Sequence, residues 1–125
     1  MEQFKRLPDS ELEVMLLIWQ STEPIHTGEI LQRLKDSKEC NLQMVQSTLN
    51  RLTGKDFVKC DKIGRLNYYT PLVEKELYLE QETDSFIERL YHNSPSMLVA
   101  KLLSKQSISE AEIAEIKRML EKGGE

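Results

Sequence analysis

Gln43, Gln46, Ser47 and Asn50 recur at i, i+3, i+4 and i+7 within NLQMVQSTLNRL, residues 41–52. That spacing places three amides and a hydroxyl on one face of a helix. An amide offers a donor and an acceptor side by side, matching the paired groups on the major-groove edge of adenine, and a serine hydroxyl donates or accepts at several base edges. In a chain with 30% charged residues, an exposed helix face is ordinarily covered with Glu and Lys. Lys at these positions would attract phosphate; amides suit the reading of sequence. Another face of the same helix carries Leu42, Val45, Leu49 and Leu52, the apolar stripe of a helix packed on a core.

Other chemistries find no support. Cys40 and Cys60 are too few and too far apart for a disulfide framework or a CxxC metal site, and fit two small apolar-like residues in a reducing compartment. His26 and His92 stand alone, without a second ligand at metal-site spacing. No nucleophile elbow, phosphate-cradling Gly loop or zinc-type spacing is present. The expectation is a protein that is not an enzyme and carries no cofactor or metal.

The elements that would position the amide face follow from local signals. Ser10 and Glu13 form an S-x-x-E capping box that predicts a helix to about Gln20, with Leu12, Met15, Leu16 and Trp19 facing a core. Pro24 interrupts the chain. Thr27 is the expected N-cap of a short second helix with Ile30, Leu31 and Leu34 inward, and Asn41 caps the third. Three short helices in this order predict a helix-turn-helix, whose second helix enters the major groove. The period then changes to two: Phe57–Lys62 and Leu66–Thr70 are strand-prone runs around Ile63-Gly64-Arg65, with Gly64 supplying the positive φ of a tight hairpin. A three-helix unit followed by a basic-tipped hairpin predicts a winged helix.

Charge is distributed to match. The net charge is −4, yet residues 41–71 hold Arg51, Lys55, Lys59, Lys62 and Arg65 against Asp56 and Asp61, a local +3. Arg51, Lys62 and Arg65 are the expected phosphate contacts beside the amide face. After Pro71 the pattern is helical again: a long helix over 73–92 with Phe86 and Leu90 near its end, a short one from Pro95 at N1 through Leu103 with Leu98 and Leu102, and a last one opened by the Ser109–Glu112 capping box. Ile113, Ile116 and Leu120 stripe that last helix. A small winged helix cannot cover all these apolar stripes, so burial against a second copy is expected. The fold class expected is mainly α with a small β-hairpin: a winged helix-turn-helix over 1–72 and a helical dimerisation region over 73–125. No apolar run near Met1 reads as a secretory signal, and none is long enough to cross a bilayer, so a cytoplasmic protein without membrane insertion is expected.

ELEVMLLIW at 11–19, TLNRL at 48–52, GRLNYYTPLV at 64–73 and SEAEIAEIKRML at 109–120 give the chain a resemblance to the BlaI/MecI family of penicillinase repressors, over residues 8–125. The resemblance implies a dimeric repressor of antibiotic-resistance genes, its winged helices on a palindromic double-stranded operator and its C-terminal helices forming the homodimer. It implies base reading at positions matching Gln43, Met44, Gln46 and Ser47, and a shared arginine at Arg51. In the penicillinase branch a membrane sensor protease system triggers a cut in the dimerisation region; the matching bond is near Lys101-Leu102, where better-known members have Asn-Phe. This chain departs from the family at Cys40 (often Trp), at Gln43-Met44 (often Lys-Thr) and at Asp56 (often Gly). Copper-responsive members carry a cysteine-rich tail, and no cysteine follows Cys60 here. The alternative from another class is a winged helix used only for protein–protein interaction, which the salt dependence of binding would separate from DNA binding.

Overall fold

The computed structural model describes residues 3–123. Its elements are α1 (Asp9–Gln20), β1 (Ile25–His26), α2 (Thr27–Leu34), α3 (Leu42–Gly54), β2 (Val58–Ile63), β3 (Leu66–Pro71), α4 (Lys75–Tyr91), α5 (Pro95–Ser104) and α6 (Glu110–Glu121). Helix dominates, and the three strands form one antiparallel sheet in the order β1-β3-β2. The hairpin is as expected, with Lys59↔Thr70, Cys60↔Tyr69 and Ile63↔Leu66 in register. The third strand is an addition: Ile25 and His26 pair with Tyr69 and Tyr68.

Two helix starts differ from expectation. Ser10 does not cap α1; it lies inside the first turn, and Pro8 is the N-cap without a side-chain bond. The Pro8 carbonyl accepts the N–H groups of Glu11 and Leu12 at 3.0 and 2.9 Å, which leaves no role for a serine hydroxyl. Thr27 does not cap α2 either. His26 takes that position, its Nδ1 accepting the Glu29 N–H at 3.4 Å, while the Thr27 hydroxyl oxygen is buried. The third start is as expected: Asn41 Oδ1 accepts the Met44 N–H at 2.9 Å.

The core of the first compact unit, which runs to Glu82, is closed by Val14, Met15 and Ile18 of α1, Ile30 and Leu34 of α2, and Val45, Leu49 and Leu52 of α3. Leu16 and Leu42, expected inside, are outside; Leu42 is 55% exposed because it is the first residue of its helix, not yet over the core. Thr48 takes a place in the stripe, and its hydroxyl is satisfied by the Met44 carbonyl at 2.9 Å. α3 ends in a Schellman motif: Phe57 N–H reaches the Leu52 carbonyl and Asp56 N–H the Thr53 carbonyl, with Asp56 in the left-handed region at φ 61°. Asp tolerates that conformation better than most residues, and the turn delivers Phe57 to the core.

The unit does not stop at residue 72. Val73 and Tyr78 are buried in the same core. Tyr78 packs edge-on to Phe57 at 5.6 Å, and its hydroxyl accepts the Leu7 N–H at 2.8 Å. Gln81 donates to the Phe4 carbonyl and accepts the Phe4 N–H, both at 2.7 Å. The first turns of α4 thus belong with the winged helix, and the division between the compact units falls inside α4 at Glu82/Thr83.

The second unit holds the end of α4, α5 and α6. Pro95 opens α5 after the Ser94 cap. Ser109 and Glu112 close a reciprocal capping box at 3.1 and 3.0 Å, and those bonds hold the Glu112 carboxyl below its ordinary pKa. No residue from 83 to 123 is buried. Among the described residues, no helix is long and apolar enough to cross a membrane.

Candidate nucleic-acid interface

The apolar stripe of α3 is fixed to α1 and α2, so its remaining face is held outward by a closed core. Gln43, Met44, Ser47 and Asn50 are exposed and Gln46 is half-buried. The expected base-facing set is therefore on one surface, with Met44, 49% exposed, as its apolar member. None of these side chains carries a charge.

Two networks fix the surface in place. In the first, Gln46 Nε2 donates to Asn50 Oδ1 at 3.0 Å and to the Tyr69 hydroxyl at 3.3 Å. Tyr69 lies on the central strand β3 with Ile25 and Cys60 on either side. Its burial pushes the phenol pKa up from its ordinary value, which keeps the proton on the hydroxyl. In the second, Glu11 of α1, only 3% exposed, faces two cations of α3 and its C-terminal turn. Arg51 Nε lies 3.2 Å from one carboxylate oxygen, and Lys55 Nζ pairs with the other. A buried carboxylate stripped of its cations is costly, so this pairing locks α3 against α1. Arg51 also donates to Ser47 Oγ at 2.9 Å and to Thr48 Oγ1 at 3.3 Å. Ser47 is left with its hydrogen to donate.

Arg51 thus stands beside the amide face with half of its side chain exposed and its guanidinium tied into the fold. Lys62 and Arg65 differ: among the described residues, neither takes part in an ion pair. Gly64, at φ 65°, and Arg65 make the two-residue turn of the wing, the glycine-first pattern of a type II′ connection. Lys62 pairs with Asn67, two positions from the Cys60–Tyr69 pair, so sheet alternation puts it on the sheet face that meets Gln46. Ile63 and Leu66 close the tip, 61% and 45% exposed.

Tyr69 and Glu11 were not legible as parts of this surface. Tyr69 sat in a strand-prone run and Glu11 in a helix start, and only tertiary contacts across 23 and 40 positions bring them to Gln46 and Arg51. No local signal marks Glu11, which alternates with the acidic Asp9 and Glu13 in DSELEV. In the second unit, Phe86, Leu90, Leu102, Ile116 and Leu120 are exposed, Leu98 and Ile113 half-buried, and Lys101 and Leu102 lie exposed within α5.

Comparison with known proteins agrees in extent with these elements. The family model for penicillinase repressors matches residues 7–122. The penicillinase repressor of Bacillus licheniformis is 31% identical over 121 residues, covering 97% of this chain and 94% of that protein. The methicillin resistance regulatory protein MecI of Staphylococcus aureus strain N315 is 25% identical over 116 residues, covering 93% and 94%. Among solved structures, the DNA-binding domain of the repressor BlaI is similar with a TM-score of 0.53 at 32% identity, over 60% of this chain and 90% of that one. The Bacillus licheniformis BlaI monomer in complex with the blaP half-operator gives 0.52 at 32% identity, over 61% and 92%. With a family model covering most of its length, this chain belongs to the penicillinase repressor family.

Proposed function

We propose that the chain is a homodimeric, sequence-specific transcriptional repressor. α3 lies in the major groove of each half of a palindromic double-stranded operator, and residues 83–123 join the two copies. The observation that carries this is the exposed, uncharged face of α3, mounted on a closed core within residues 41–71, a stretch of net charge +3. A relative solved on a half-operator supports it. Gln43, Met44, Gln46, Ser47 and Asn50 read bases; Arg51, Lys62 and Arg65 hold phosphates.

Self-association uses Phe86, Leu90, Leu98, Leu102, Ile113, Ile116 and Leu120. It would set two α3 helices about 34–36 Å apart, one turn of DNA. Release follows from a cut near Lys101-Leu102, triggered by a membrane sensor protease system, because severing α5 removes part of the surface that joins the copies. The protein works in the cytoplasm, where its operator is.

Selection of bound sequences from random duplex DNA, followed by salt titration, tests the reading. Neutralising Lys62 and Arg65 together, as K62Q/R65Q, is expected to weaken binding alike on the selected operator and on random duplex. The slope of log affinity against log salt should flatten by about one to two. Selection that enriches no sequence, or binding indifferent to salt, would count against DNA as the partner and favour a protein-docking role.

A further inference from the structure

We propose that Tyr69, a buried residue that does not itself reach the DNA, sets the base preference of this interface by holding the Gln46 amide in place at the groove. The inference rests on the reading of α3 as the base-reading helix. A glutamine amide has two ends of nearly equal shape and opposite polarity: Oε1 accepts, Nε2 donates. On an open helix face the amide can turn over and present either. Here both hydrogens of Nε2 are committed, one to Asn50 Oδ1 at 3.0 Å and one to the Tyr69 hydroxyl at 3.3 Å. In this arrangement Oε1 of Gln46 is left to accept.

Asn50 is set by the same chain of bonds. With its Oδ1 occupied, its Nδ2 hydrogens are left to donate. In this arrangement the pair presents an acceptor at 46 and a donor at 50, one helical turn apart. An acceptor at 46 selects a base with an exocyclic amine in the major groove, adenine N6 or cytosine N4; donors at 50 select guanine O6 or N7, adenine N7, or thymine O4. Tyr69 is a rigid anchor for this arrangement because it is 2% exposed and flanked by strands on both sides. Its hydroxyl is a positioning group, acting on the DNA only through Gln46.

Tyr69→Phe keeps the ring in the core and removes only the hydroxyl. In the full-length chain, Y69F is expected to retain affinity for random duplex and an unchanged salt slope. Preference at one base pair per half-site should fall about three- to tenfold, the worth of a neutral hydrogen bond. Adding Gln46→Ala to Y69F should cost less at that base pair than Gln46→Ala does alone. Gln46→Glu supplies a second reading that does not depend on how well Y69F folds: a carboxylate presents acceptors only, so the preference for an amine-bearing base should persist. Identical selected sequences for wild type and Y69F would overturn the inference, as would a Q46E variant that switches to a base without an amine at that position. A wild-type chain that selects no sequence at all would instead overturn the base-reading role on which the inference rests.

Discussion

A chain ending at Glu82 is expected to fold as a monomer, select the same half-site as the full chain, and bind the whole operator about 10²–10⁴-fold more weakly. The loss comes from geometry. When two half-sites are held by one particle, the second binding event is intramolecular, and that advantage disappears without residues 83–123. The cut must respect the core: ending at residue 72 instead removes Val73, Tyr78 and Gln81, which the first unit needs. The shorter chain is therefore expected to unfold and to lose all DNA binding. Sedimentation and operator titration of the two truncations check this. Full operator affinity in the chain ending at Glu82, or a monomeric intact chain at tens of micromolar, would sink the dimeric repressor.

Tyr78→Ala should be the most damaging single truncation in the first unit, costing about 3–5 kcal/mol as expected for a large buried aromatic. The ring is 1% exposed and sits between Phe57 at 5.6 Å and Trp19 at 5.7 Å. Its hydroxyl is the partner of the Leu7 N–H, so Tyr78→Phe should still cost about 1–3 kcal/mol by leaving that donor buried and unmatched. Trp19, the sole tryptophan, lies against the ring and reports unfolding by fluorescence. The pH dependence has a fixed sign. Burial raises the Tyr78 pKa above its ordinary value near 10, so its contribution is complete below pH 10 and is lost as pH rises beyond it. That alkaline loss should be smaller in Tyr78→Phe. Urea midpoints unchanged by Tyr78→Ala would mean that α4 does not close the core.

Local signals carried far in the sequence, and their failures have a common cause. Asn41, the Val45/Leu49/Leu52 stripe, the Gly64 turn and the Ser109–Glu112 box were legible because each depends on residues at most a few turns apart. β1 was not, since two residues are too few to show a period and Ile25 becomes a strand only when Tyr69 pairs with it. Ser10 had the spacing of a capping box, but Pro8 starts α1 earlier and its carbonyl takes the bonds. Pro71 looked like the end of the winged helix because the helical pattern resumes after it; nothing in that pattern reveals that Tyr78 bonds to Leu7, 71 positions away.

The absence of any buried residue between 83 and 123 makes the order of that segment a matter of mass action. In the proposed homodimer, helices with no interior of their own would draw their stability from a partner copy, by an amount that grows with the logarithm of its concentration. As the protein is diluted, the copies of such a dimer would part and α5 would lose its cover. The bond after Lys101 then lies in a segment that opens easily, and proteases cut such segments in proportion to how often they are open. Turnover would therefore fall on solitary copies and spare assembled ones. Abundance would then be a signal that the protein itself reads, and limited proteolysis across a dilution series measures it directly.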